Sequence, residues 1–292
     1  VIDTATVSNC IQYAYQNSGM TKEALETLAM TKAGILSKID TLVTFPLAIN
    51  TAFSTALVPS ISESMAKKEY GVASKRLSFS IFTSILIIFP CAMGFMFLAS
   101  PVLKMIYPSA SDGALILQLS SISMIFTALN QTVNGGLYGL NLPKVPVAAL
   151  GVGVVAKTIL NIILVSNPTI NIAGASIGSF VCHILSFLIA FRVFNLKLKI
   201  KFDPKKNIIK PAIAAVVMGI IVYFVQYLLN MFIGNMVSTL LAIIVGVGVY
   251  GLAIIFMNVL SKEDILMIPF GTKIYNILVK LHLYKEEGEP LR

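Results

Sequence analysis

The chain alternates between long apolar runs and short polar turns. Residues 41–62, 77–103, 113–143 and 211–261 contain no Asp, Glu, Lys or Arg. About 20 apolar residues on a helix cross roughly 30 Å of hydrocarbon, so the pattern predicts membrane helices. Full spans fit near 40–65, 77–104, 113–140, 145–166, 172–193, 210–230 and 236–258, with a partial span at 1–16. The run 211–261 is too long for one span. It divides at NMFIGNM, where Asn230, Gly234 and Asn235 supply a turn. Asn167, Pro168 and Asn171 divide the fifth span from the sixth in the same way.

These elements give an all-α, polytopic bundle. The expected order is a partial helix at 1–16, an external loop at 17–39 and a five-helix bundle at 40–193. A basic cytoplasmic loop at 194–209, two further helices at 210–258 and a cytoplasmic tail at 259–292 follow. The tail has Ile274, Ile277, Leu278 and Leu281 at helical spacing beside Lys273, Lys280 and Lys285. That stripe suits an amphipathic helix on anionic phospholipids, or else a partly ordered tail. Pro46, Pro59 and Pro90 fall inside spans and predict kinks or broken helices. Glycines 135, 136, 139, 151, 153, 174, 178, 246 and 248 predict close helix approach.

Charge fixes an orientation. The stretch KKEYGVASKR, the turn with Lys144, the loop from Arg192 to Lys210 and the tail hold 17 of the 22 basic residues. YPSASDG, SNPTIN and NMFIGNM hold none, and Lys22, Lys32 and Lys38 share their loop with Glu23 and Glu26. Basic loops stay in the cytoplasm, so these regions and the C-terminus are expected there.

Composition then closes off other classes. Of 292 residues, 57% are hydrophobic and 12% charged, against about 25% charged in a soluble domain. The net charge of +9 lies at span ends, the pattern of topology rather than of nucleic-acid binding. Cys10, Cys91 and Cys182 are far apart and read as small buried hydrophobes, with neither a disulfide framework nor a zinc pattern. There is no G-x-S-x-G, HExxH or phosphate loop and no pair of carboxylates within one apolar segment. An enzyme, a cofactor and a metal are therefore not expected.

Several stretches resemble a known family. TLVTFPLAINTAFSTALVPSISESMA, with its core Ala56 to Glu63, looks like the first helix of a C-terminal lobe in polysaccharide-exporter and lipid-flippase proteins. NGGLYGLNLPKVPV (134–147) is similar to the family's glycine-bearing helix end and short loop. KTILNIILVSNPTINIAGASIGS (157–179) resembles its run of Lys, Leu-Asn, polar turn and Gly-Ala-small. In this order and spacing they resemble the polysaccharide-biosynthesis and stage V sporulation protein B branch of the flippase superfamily. That superfamily also holds the lipid II flippase and the multidrug and toxic compound extruders.

The resemblance implies about fourteen helices in two lobes, with this chain running from the seventh and an N-terminal lobe as its partner. It also implies alternating-access movement of a polyprenyl-diphosphate-linked saccharide, a peptidoglycan or spore-cortex precursor, across the bacterial cytoplasmic membrane. Cation-coupled drug export, a non-transporting scaffold of envelope assembly and an embedded enzyme are the other readings.

Candidate substrate-cavity residues follow. Lys157 places a charge inside a span, which costs more than about 2.5 kcal/mol unless it meets a cavity or partner. Asn161 lies one turn on, on the same face. The pair reads as a cavity lining that meets an anionic diphosphate, or as a structural lysine bonded within the bundle. Gln131 and Asn134 share a face in a span that also carries Gln118 and Asn130. They read as a path for a sugar headgroup or as interhelical bonds. Asp3 reads as a cation or substrate partner, or as an interhelical acid. Glu63 is a gating candidate at the cytoplasmic mouth, able to pair with Lys67 or Arg76. Asp40 reads as a span-end residue, and His183, with no acid nearby in sequence, as a packed helix residue rather than a proton relay.

Overall fold

A segment in lipid has to satisfy its backbone N–H and C=O groups internally. In the computed structural model the chain does so with helices, and no strand occurs among the described residues, which are 2–16, 19–198 and 203–260. The first compact unit, residues 1–201, contains α1 (Ile2–Ala14), α2 (Lys22–Ala66), α3 (Tyr70–Phe97), α4 (Ala99–Ile106), α5 (Ala114–Gly139), α6 (Lys144–Val165) and α7 (Ala173–Lys197). The second unit contains α8 (Lys210–Ile233) and α9 (Asn235–Phe256). Seven helical segments among the described residues are long and apolar enough to cross a membrane.

The largest departure from expectation is at 17–39. The polar segment expected to be a loop is helical from Lys22 onward, so α2 runs for 45 residues, about 67 Å at 1.5 Å per residue. Thr21 caps it, its hydroxyl oxygen accepting from the Ala24 N–H at 3.4 Å, and Glu23 lies in the first turn. Ala29 and Ile39 are fully buried, so tertiary packing holds this polar segment in helical form. Asp40 thus lies within a helix rather than at the start of one. The helix also continues through Pro46 and Pro59, as α3 does through Pro90. The loop expected at 194–209 begins later as well, because burial of Phe194 and Leu198 draws α7 on to Lys197. The tail beyond residue 260, with its expected amphipathic helix, lies outside the described residues.

The core of the first unit is an apolar layer shared by α2, α3, α4 and α5. Ile39, Val43, Ile88, Leu103, Leu117 and Met124 meet there. A smaller cluster ties α1 to α2, α6 and α7 through Val7, Ile11, Ala29, Val165 and Ala175. Bare glycine backbone lets helices touch: a Cβ on Gly135 would stand 2.5 Å from the Ser54 carbonyl oxygen, and one on Gly153 would stand 2.6 Å from that of Cys182. Gly151 and Gly248 face open space instead, so they do not serve helix contact.

Hydroxyls and amides bond across the helices. Thr132 on α5 joins Ser54 on α2 at 3.2 Å and Ser84 on α3 at 2.7 Å. Ser120 meets Ser176 at 3.0 Å, and Asn130 donates to Ser186 at 2.9 Å, both joining α5 to α7. Such groups would otherwise lie unsatisfied in an apolar interior.

One end of this unit collects positive charge. Ser62 donates to the Gly139 carbonyl at 3.1 Å, which puts the C-terminal ends of α2 and α5 together. A groove lined by Tyr70 and Lys197 joins the start of α3 to the end of α7. Lys67, Lys68, Lys75, Arg76, Lys144 and Lys197 therefore belong to one end of the bundle, together with the acids Glu63 and Glu69.

In the second unit the expected turn narrows to one residue. Gly234 adopts φ 78°, ψ 164°, a conformation open only to glycine at low cost. The helices close against each other at Gly246, where a Cβ would be 2.8 Å from Val222 Cγ2. Lys210 Nζ donates to the Met257 carbonyl at 2.8 Å.

Candidate functional site

The side chains that α2 leaves uncovered form a polar stripe. Ser37, Asp40, Thr41, Thr44, Ala48, Thr51, Ala52, Thr55, Pro59, Ser62 and Glu63 are all exposed. They recur at helical spacing over 26 residues, about 39 Å of rise, which exceeds the thickness of the hydrocarbon layer. Phe45, Ile49 and Phe53 run alongside.

The contrast with other exposed faces is chemical. Helix α6 exposes Val152, Val155, Ile159, Ile162 and Ile163, and α8 and α9 expose Ile220, Phe224, Leu228, Ile244 and Val247. Those faces suit acyl chains. The α2 threonines donate to carbonyls one turn back, as Thr44 does to Asp40 at 2.7 Å and Thr51 to Leu47 at 2.8 Å. Their oxygens still present acceptor lone pairs outward. Pro59 has no N–H to give to the Thr55 carbonyl, and freed backbone at membrane depth is tolerated where it lines water or protein. Asp40 near one end of the stripe and Glu63 at the other place a carboxylate at each end of it.

The candidate residues fall into separate places. Lys157 and Asn161 are together in the seam between α6 and α7, both against Gly178. A Cβ there would be 2.6 Å from Asn161 Oδ1 and 3.3 Å from Lys157 Cγ. Asn161 is buried and Lys157 half-buried. Gln131 lies in a different contact, where its Oε1 accepts from Asn50 Nδ2 at 2.9 Å and joins α5 to α2. Asn134 is half-buried on α5, and its buried Oδ1 has no hydrogen-bond partner among the described residues. The backbone of Asp3 is in α1, and its side chain lies outside the described residues.

Glu63 is exposed and accepts from Lys67 Nζ at 2.6 Å. That hydrogen bond and the carboxylate's charge hold the Lys67 ammonium above its usual pKa. Arg76 donates to the Ser60 carbonyl, so it braces α2 from the α3 side.

Two features were not foreseen. Asn50, fully buried, donates to Ala128 O as well as to Gln131. Lys32 Nζ reaches Asn171 Oδ1 at 2.8 Å and the Tyr15 hydroxyl at 3.1 Å, with the Tyr15 ring centroid 4.8 Å away. Asn50 carried a weak signal as a lone amide in a charge-free run. Lys32 carried none, because its segment reads as a loop.

Known proteins place this architecture. A family model described as lipid II flippase MurJ matches residues 14–246. The chain belongs to the MurJ family. It is 28% identical over 250 residues to the lipid II flippase MurJ of Bacillus subtilis (strain 168), covering 80% of this chain and 45% of that protein. It is 23% identical over 229 residues to stage V sporulation protein B of the same organism, covering 78% and 44%. It is also 23% identical to the uncharacterized membrane protein YabM, covering 90% and 49%. The chain spans about half the length of these relatives.

A solved structure of lipid II flippase MurJ in an inward closed conformation matches the fold with a TM-score of 0.61. It is 20% identical, over 76% of this chain and 46% of that one. Membership of the flippase superfamily, expected from the three motif stretches, holds. So does the all-α fold of a multi-pass bacterial membrane protein.

Proposed function

We propose that this chain is the C-terminal lobe of a two-lobe flippase that moves a polyprenyl-diphosphate-linked saccharide across the cytoplasmic membrane by alternating access. The observation that carries the reading is the stripe on α2. It is the face among the described spans that pairs a carboxylate with hydroxyls over a length able to cross the bilayer. A saccharide diphosphate needs a hydrated wall, and a polyprenyl chain needs apolar surface beside it. Thr44, Thr51 and Thr55 offer the first, and Phe45, Ile49 and Phe53 the second. An N-terminal lobe closes the other side of the path.

In this reading Lys157 and Asn161 supply a cation and an amide that meet the diphosphate as the α6–α7 seam opens. Gln131, Asn134 and Asp3 are the remaining cavity candidates. Glu63 and Lys67 form a contact at the mouth that breaks and remakes with the transport cycle. The basic end faces the cytoplasm with the C-terminus, following the bias of lysine and arginine. The protein moves its substrate and does not transform it. The family match and the stage V sporulation protein B relative favour this over drug export.

The test is reconstitution of the full-length protein in vesicles carrying a labelled lipid-linked saccharide diphosphate in one leaflet. Transfer to the opposite leaflet faster than in protein-free vesicles is expected. Transfer at the protein-free rate overturns the proposal.

A further inference from the structure

We infer that Lys32 and Asn171 form a binding site for a carboxylate at the end of the bundle opposite the basic loops. Lys32 shares a face of α2 with Ala29 and Leu36, one turn to either side. Ala29 is fully buried, and Leu36, Tyr15 and Ile172 pack around it in the cluster that joins α1, α2, α6 and α7. The half-buried lysine therefore stands at the edge of an apolar layer. Its Nζ donates to Asn171 Oδ1 at 2.8 Å and to the Tyr15 hydroxyl at 3.1 Å. An ammonium has three hydrogens, so a third acceptor can join these two.

Asn171 supplies a second, independent observation. It is 6% exposed, and its buried Nδ2 has no hydrogen-bond partner among the described residues. Lys32 fixes which way the amide lies, because only the amide oxygen can accept from an ammonium. The unbonded NH2 group is thus held next to the ammonium, on the same amide. A buried donor without an acceptor is costly, and this one sits beside a positive charge.

The surrounding chain offers no anion to the pair. Among the described residues no carboxylate lies within ion-pair distance of Lys32. Helices α6 and α7 and the turn between them contain no Asp or Glu. Glu23, Glu26 and Asp40 on α2 are exposed. Asp3 precedes Tyr15 by twelve positions, about 18 Å along a helix. Two adjacent donors and one positive charge match the two oxygens and single negative charge of a carboxylate. A phosphate dianion brings more charge than one ammonium balances. Tyr15, Lys32 and Asn171 come from three separate parts of the unit, so a carboxylate bound there tightens their junction. The site is separate from the α2 stripe and does not depend on what the protein transports.

The experiment uses the full-length protein in detergent. Melting temperature is read in sodium acetate against sodium chloride at equal ionic strength and neutral pH. Acetate at tenfold excess over its dissociation constant is expected to raise the melting temperature by about 2 °C over chloride. Lys32→Met should lose that increment. Asn171→Asp builds the carboxylate into the chain beside Lys32, at a φ of 48° that aspartate also tolerates. It should melt at or above the wild-type temperature in chloride and gain nothing from acetate. A merely structural asparagine would not give that combination. Lys38→Met, whose lysine is exposed, should keep the increment.

N-acetylglycine carries the same group on a larger body. An increment from both probes assigns the carboxylate to the end of a larger molecule, and one from acetate alone assigns it to a small free ion. Equal melting of the wild type in acetate and chloride overturns the site, and so does an increment retained in Lys32→Met or Asn171→Asp. An increment from sodium phosphate as large as that from acetate overturns the carboxylate assignment in favour of a phosphate. If a variant does not fold, the wild-type comparison decides alone.

Discussion

Lys32 on α2 donates to the side chain of Asn171, 139 positions away, at 2.8 Å. Asn171 has φ 48°, in the left-handed region that asparagine tolerates, and sits in the turn ahead of α7. Tyr15 completes the contact from just beyond α1. One ammonium thus ties three parts of the bundle at the end opposite the basic loops. Lys32→Met should lower stability by about 1.5–3 kcal/mol, the range for hydrogen bonds to a charged group. Lys38→Met, whose bond to Ser109 is exposed, should cost less. Thermal unfolding of both variants in detergent checks the ordering, and equal melting temperatures would contradict it.

The contact between α5 and α2 leaves no room at Gly135. A methyl there would meet the Ser54 carbonyl, so Gly135→Ala should destabilise by about 1–3 kcal/mol, the cost of overpacking. Gly151→Ala faces open space and should be neutral or slightly stabilising through helix propensity. Melting temperature and membrane yield of the two variants separate these outcomes.

Lys157→Ala in the full-length protein should lower transport about tenfold or more, the loss of one charged hydrogen bond to the diphosphate, with membrane insertion intact. Transport at the wild-type rate with normal expression would remove Lys157 from the path and leave it a structural residue of the α6–α7 seam.

Glu63→Gln removes an exposed ion pair. Such pairs contribute little to stability, so the melting temperature should not move. The transport rate should change if the pair acts at the mouth, and its salt dependence should weaken. A variant with wild-type transport at both low and high ionic strength would end the gating role.

The apolar runs between 113 and 256 were legible because lipid demands about 20 uninterrupted apolar residues, and α5, α6, α7, α8 and α9 match them to within a few positions, whereas the span expected at 77–104 is α3, which starts and ends seven residues earlier, followed by the short α4. The segment 22–39 was not legible. Its lysines, glutamates and threonines read as a loop, while the burial of Ala29 and Ile39 that holds it helical depends on partners far along the chain. Of the candidate residues, one neighbourhood was legible. Lys157 and Asn161 are one turn apart, and the structure keeps them on one face. That Gln131 bonds to Asn50 was not visible, because helix pairing is not written in spacing. The α2 stripe was hidden for the opposite reason: threonine and alanine count as mild residues in a hydropathy window, and only exposure separates them from the buried face.

Accessibility of α2 to water tests the central claim most directly. In the full-length protein, with Cys10, Cys91 and Cys182 replaced by serine or alanine, single cysteines at Thr44, Ala48, Ala52 and Thr55 should react with a membrane-impermeant thiol reagent in vesicles. Cysteines at Val155 and Ile163 on the apolar face of α6 should not. Protection of all four α2 positions to the same degree as those on α6 would place the stripe in lipid and contradict a hydrated path along this helix.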